Sequence, residues 1–144
     1  MLIRRPLFLA FLLASACGPR APASPPIEVR DAWARAADSA TVTAAYLTIL
    51  NHETRAVTLS AASTPLAESV TLHETMDMNG MVHMMPLDSA QTIAAGDSLV
   101  LAPGAKHLMM TGLRRTLAGG DSLPLELRFS DGRVVHATAA VRAP

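Results

Sequence analysis

Cysteine is almost absent from this chain of 144 residues; Cys17 is the only one. A lone cysteine so close to the N-terminus makes no disulfide within a folded domain and supplies no thiolate to a site further along. Aromatic side chains are nearly as scarce, with one Trp, one Tyr and three Phe, so Trp33 and Tyr46 are expected to serve as core anchors. Charge is thin and balanced, twelve Lys and Arg against twelve Asp and Glu. With no basic block, nucleic acid is excluded as a partner. No apolar run reaches the roughly 20 residues that a membrane-spanning helix requires. There is no Ser-His-Asp pattern, no phosphate-cradling loop and no carboxylate pair, so no enzymatic turnover is expected.

What the chain does contain is a series of short runs with strand-like composition, at 27–33, 44–50, 56–61, 69–73, 81–85, 98–101, 107–113, 123–129 and 134–141. Turn signals such as Asn79-Gly80, Pro103-Gly104, Gly119-Gly120-Asp121 and Asp131-Gly132 separate them. No segment holds a helical period for long. The spacing predicts an all-β domain, a sandwich or barrel. Asp131-Gly132 is the clearest single hairpin, because Asp-Gly supplies the positive φ angles that a tight turn needs.

Seven of the eight methionines fall between Met76 and Met110, with His73, His83 and His107 in or beside the same stretch. Methionine is a common gap-filler in cores. A packing role alone would spread it over the domain, whereas residues 27–72 and 111–144 contain none. Thioether sulfur and neutral imidazole suit soft ions such as Cu(I), while hard cations prefer carboxylates and carbonyls. Side chains two apart on a strand share a face, so His107 and Met109 point together while Leu108 and Met110 point the other way. The same alternation separates His83 and Met85 from Val82 and Met84. Leu72 should face the core and His73 away from it, which places a shared site at a rim of the sandwich. Glu74, next to His73, is a candidate acceptor for orienting a histidine. His52 and His136, far from the cluster, are read as structural.

The N-terminus has the layout of a secretory signal, with Arg4 and Arg5, an apolar run at 7–14 and small residues after it. Ala14-Ser15-Ala16-Cys17 resembles the lipobox of bacterial lipoproteins, in which the cysteine is lipidated and becomes the first mature residue. The alternative is ordinary cleavage after Ala16, giving a soluble protein. Residues 1–17 are thus a signal and lipobox, 18–26 a proline-rich tether, and 27–144 a single domain. Loss of Arg4 and Arg5 leaves ten basic and twelve acidic residues, a net charge near −2.

The residues around the methionine cluster resemble a known family. His73-Glu74-Thr75, Met84, Pro103-Gly104 and His107-Leu108-Met109-Met110-Thr111-Gly112-Leu113 are similar to periplasmic copper chaperones of the PCuAC family. Asp31-Ala32-Trp33-Ala34-Arg35, Ala44-Ala45-Tyr46-Leu47 with Asn51, and Ala94-Ala95-Gly96 extend the resemblance over nearly the whole domain. It implies a cupredoxin-like Greek-key β-sandwich in which His73, Met84, His107 and Met109 bind one Cu(I). It also implies a role in the periplasm, passing copper to the CuA centre of cytochrome c oxidase directly or through Sco-type thiol proteins. The alternative is a periplasmic buffer that sequesters Cu(I) without delivering it. A membrane is then a partner only through a lipid on Cys17. The absent cysteine ligand excludes blue-copper electron transfer.

Two points stay open at this level. The family motif runs His, ten residues, Met, twenty-one residues, His-x-Met, but twenty-two residues separate Met84 from His107 here. Met84 satisfies the first gap and Met85 the second. Met84 is preferred because Pro86 follows Met85 as in the family, and a loop near Leu87 can absorb the surplus residue. The remaining donors, Met76, Met78, His83 and Met85, form either an auxiliary copper site or transfer path, or a packing and docking surface in which Met76 and Met81 cover the main site.

Overall fold

The computed structural model describes residues 25–87 and 90–143. The expected leader with Cys17, and the tether up to residue 24, lie outside the described residues. Ten strands and no helix occur among the described residues. They are β1 (Ile27–Arg35), β2 (Thr43–Asn51), β3 (Val57–Ser63), β4 (Ala67–Met78), β5 (Met81–Pro86), β6 (Gln91–Ile93), β7 (Ser98–Leu101), β8 (Lys106–Leu113), β9 (Ser122–Phe129) and β10 (Val134–Arg142).

The hydrogen-bonded path runs β5-β4-β8-β2-β1-β10-β9-β3-β6, with β7 beside the second half of β2. All pairs are antiparallel except β1 with β10. Strands far apart on this path nevertheless share one buried cluster: Leu108 and Met110 of β8 lie with Leu125 and Leu127 of β9 and Leu59 of β3. The sheet must therefore fold over itself into two layers, the sandwich that the turn spacing allows and whose Greek-key form the PCuAC resemblance implies. A small cavity lined by Leu59, Ala62, Val70, Leu72 and Leu108 marks where β3 approaches β4.

Alternation explains the core. In β9, Leu123, Leu125, Leu127 and Phe129 are buried while the residues between them are exposed or half-buried, each large side chain contributing about 1.5–3 kcal/mol on burial. Pro124 fits because it lies near the strand start, where β10 is its neighbour and β3 pairs only further along. Asn51, buried at the end of β2, donates from Nδ2 to the carbonyls of Arg55, Ile93 and Ala94 and accepts from the Glu53 amide. One side chain thereby ties the β2–β3 turn to the end of β6.

Three features depart from the sequence reading. β6, three residues long, is too short to show a period. The run expected at 69–73 extends to Met78 and forms a hairpin with β5 around Asn79-Gly80, whose φ angles of 58° and 81° are both positive. Met78 pairs directly with Met81, so this is a two-residue turn; at Asp131-Gly132 only Gly132 has positive φ, 89°. Finally, β1 carries a bulge between Arg30 and Trp33, with Asp31 at φ 53°. Ile27 and Val29 pack on the core; an unbroken alternation would send Trp33 there too. The bulge reverses the order, so Ala34 is buried and Trp33 turns to the outer face beside Tyr46.

Candidate metal centre

Beyond Glu74, which pairs with Lys106, β8 stops and β4 continues with β5 as its partner. The hairpin is thus an arm projecting past the sandwich, and all six residues of β5 are exposed. At its root the registers bring the candidate donors together. His73 stands directly opposite His107, and Thr71 opposite Met109, across β4 and β8. Thr75 stands opposite Met84, and His73 opposite Pro86, across β4 and β5. Directly paired residues share a face of the sheet, so His73, Met84, His107 and Met109 all project from the outer face. Val70, Leu72, Leu108 and Met110 pack the core from the inner one.

The two imidazole centroids lie 5.9 Å apart. His107 is only 4 % exposed, and its Nδ1 lies 3.0 Å from the Ala105 carbonyl. A carbonyl can only accept, so Nδ1 carries the proton and Nε2 the lone pair that a metal would take. His73 Nε2 lies 3.0 Å from the Thr71 hydroxyl, and its Nδ1 is buried without a hydrogen-bond partner. In the tautomer that donates from Nε2, Nδ1 is a buried lone pair with no hydrogen-bond donor among the described residues to meet it; leaving such an atom unpaired costs about 1–3 kcal/mol. Burial, and next the charge of neighbouring His107, hold the His73 imidazole below the usual histidine range. At neutral pH the ring is therefore neutral, the form that ligates metals.

Tyr46, Thr75, Met84, Gly104, His107 and Met109 line one open depression. Met84 forms its outer wall at 62 % exposure. Among the described residues no three His, Cys, Asp or Glu side chains come together in a metal-holding group. The donors that share this face are two imidazoles and two thioethers, an uncharged soft set suited to Cu(I) rather than to a hard cation, with Met84, His107 and Met109 lining the depression and His73 beside His107.

Several residues sit elsewhere than sequence reasoning put them. The site lies at the rim where β8 begins and the Gly104 turn meets it, as expected, but on the outer face of the sheet and partway along the longer β4. Glu74 projects from the face opposite His73 because strand neighbours alternate; Thr71 and the Ala105 carbonyl contact the two histidines instead. Thr71 was legible as the residue two before His73 on the same strand. Trp33 is half-buried on the outer face, not in the core, and stacks at 4.5 Å between centroids on Tyr46, which is buried as expected but outside the main core cluster; the Arg142 guanidinium lies 4.8 Å over Trp33, and Tyr46 is 6.3 Å from His107. Met76, Met78, Met81, His83 and Met85 lie on the face away from the histidine pair, so neither Met76 nor Met81 covers it. His52 Nε2 contacts Glu28 at 2.7 Å, and His136 is exposed near Glu126.

Residues 27–141 match the family model described as "Putative lipoprotein LpqE-like". A relative from Leifsonia xyli subsp. xyli, "Putative lipoprotein Lxx21020", is 35 % identical over 118 residues, which span 82 % of this chain and 68 % of the relative. Among solved structures, the copper-bound PCuAC domain from PmoF2 superposes with a TM-score of 0.68 at 22 % identity, covering 85 % of this chain and 97 % of that domain. The solution structure of Cu(I)-bound DR1885 from Deinococcus radiodurans superposes with a TM-score of 0.62 at 35 % identity, covering 77 % of this chain and 74 % of that one. The chain belongs to the LpqE-like lipoprotein family, and its fold is the cupredoxin-like β-sandwich of PCuAC domains.

Proposed function

We propose that this protein is an extracytoplasmic copper chaperone that carries one Cu(I) as cargo on His73, Met84, His107 and Met109. The observation that carries the reading is the register: two histidines face each other across β4 and β8, with one methionine on each flanking ladder position of the same face. The Cu(I)-bound relative and the copper-bound PCuAC domain support the choice of ion. Register also favours Met84 over Met85, because Met85 pairs with Glu74 on the other face.

The donors differ in depth, and that suits a carrier. His107 is sealed against Tyr46 and fixed through its Nδ1, while Met84 stands on the exposed arm. An incoming donor from a partner reaches the ion from the Met84 side and displaces that thioether before the histidines let go. In this reading the mature chain begins at lipidated Cys17, residues 18–26 tether it to a membrane in the periplasm, and the domain starts at Ile27. The copper passes towards the CuA subunit of cytochrome c oxidase or a Sco-type thiol protein, and no turnover is involved.

The test is a competition titration of the purified protein with Cu(I), under reducing conditions, against a chromophoric chelator. Met84→Ile should weaken binding at the tight site by about tenfold or more, whereas Met85→Ile should leave it unchanged. Loss with Met85→Ile alone would move the site to the other face. No tight binding by the wild type would end the copper reading.

A further inference from the structure

The opposite face of the β4–β5 arm has no role in the site just described, yet it holds most of the chain's remaining soft donors. Met76 pairs directly with His83, and Met78 with Met81, on either side of the Asn79-Gly80 turn. Directly opposed residues on an antiparallel pair have Cβ atoms about 4.5–5.5 Å apart, a spacing that two long donor side chains can close onto a single ion. The four side chains therefore form a two-by-two patch, with three thioethers around one imidazole. The tight turn fixes the register, and the Asp77 carboxylate receives the Gly80 amide at 2.8 Å, so the pairing has little freedom to slip.

Core packing does not account for this patch. The arm has left the sandwich, and Met76, Met78 and Met81 are 45 %, 50 % and 63 % exposed. Exposed positions on an edge hairpin are normally filled with charged residues that block unwanted pairing. Here the solvated inner face carries Met76, Met78, Met81 and His83 around the turn, with the imidazole of His83 the one titratable group among the four, and the first carboxylate on that face is Glu74, opposite Met85 at the root of the arm. The backbone ladder of the arm separates the patch from the His73 face.

We infer that Met76, Met78, Met81 and His83 form a second soft-metal site, binding Cu(I) or Ag(I) on the far face of the arm, independent of and weaker than the site at His73. Its weakness follows from its build: every donor is solvated and none is held by a second contact, in contrast to His107.

The experiment titrates Cu(I), and in parallel Ag(I), into the purified protein carrying 13C-methyl methionine, and follows both metal uptake against a chelator and the methyl resonances. Wild type should bind two equivalents, the second shifting the methyls of Met76, Met78 and Met81. The triple variant Met76→Leu, Met78→Leu, Met81→Leu should lose only the second equivalent. His107→Asn should lose the tight equivalent and keep the hairpin shifts. Uptake confined to the hairpin would sink the proposed chaperone site and leave this inference standing. Hairpin methyls that do not move under excess metal, or a second equivalent that survives in the triple variant, would overturn it. Because the arm contributes nothing to the core, loss of fold in the variant is not expected, and the methyl shifts of the wild type decide the matter without it.

Discussion

In β9, Leu123, Leu125, Leu127 and Phe129 all lie sealed under the facing layer, whereas in the β4–β5 arm the same two-residue alternation leaves Met76, Met78, Met81, Val82, Met84 and Met85 in solvent. Both stretches are apolar ladders with one residue in two on each face. The difference is what lies across from them. β9 is covered by a second layer, so its side chains are selected for volume and shape. The arm runs past that layer, so its side chains are selected for what else they can do. A hydrophobic pattern in a strand therefore reports a core only where the topology supplies a cover.

The strongest way to break this contrast is to delete volume under the cover. Phe129→Ala should cost about 3–5 kcal/mol in urea unfolding, while Cu(I) affinity of the protein that remains folded stays at the wild-type value. A matching loss of affinity would mean that core and site are not separable. Next in size is Thr71→Val, which removes the hydroxyl beside His73 Nε2. Supporting contacts of this kind are worth about 10–100-fold in metal affinity, and the lower end is expected here because the site is partly open. Chelator competition would reveal the loss, and circular dichroism should show an unchanged fold.

A subtler sharpening comes from pH. Burial and the charge of His107 depress the His73 pKa in the folded protein, so the unfolded chain takes up a proton first as pH falls below about 6.5. The associated stability is present above that value and is lost as pH falls through the lower folded pKa. Metal-free protein should therefore unfold more easily as pH drops below about 6.5, and Cu(I) affinity should decline over the depressed His73 range. His73→Asn should abolish the stability slope; an unchanged slope would assign it to another group. The smallest effect belongs to the arm. Val82→Thr, at 68 % exposure, should change stability by no more than about 0.5 kcal/mol, and a larger change in thermal unfolding would show that the arm is covered in solution.

Much of this was readable in the chain itself. The β9 alternation and the Asn79-Gly80 turn are local signals, and each corresponds to the element it suggested; the gathering of Met and His between positions 73 and 110 is equally local and falls on β4, β5 and β8. What escaped reading depended on contacts made elsewhere. Trp33 belongs with Ile27 and Val29 by count, and only the bulge at Asp31 turns it outward, a single residue that resembles any other polar position. Glu74 looks adjacent to His73 in sequence but is separated from it by the thickness of the sheet. Adjacent methionines at 84 and 85 carry the same chemistry, and their difference exists only once β5 is paired with β4.

That pairing has a wider consequence, because which donors face the histidines is a matter of parity rather than of residue type. From the turn at Asn79-Gly80 every second residue of β5 falls on one face. One residue inserted between Val82 and His83 would set His83 where Met84 now stands and push Met84 to the other side, exchanging donors between faces while leaving composition, hydropathy and charge almost untouched. The surplus residue between Met84 and His107 would do no such harm if it lies between the end of β5 at Pro86 and the start of β6 at Gln91, where the count has already been spent. For chains of this family, a length change inside the hairpin is a change of chemistry, and the same change a few residues later is only a change of length.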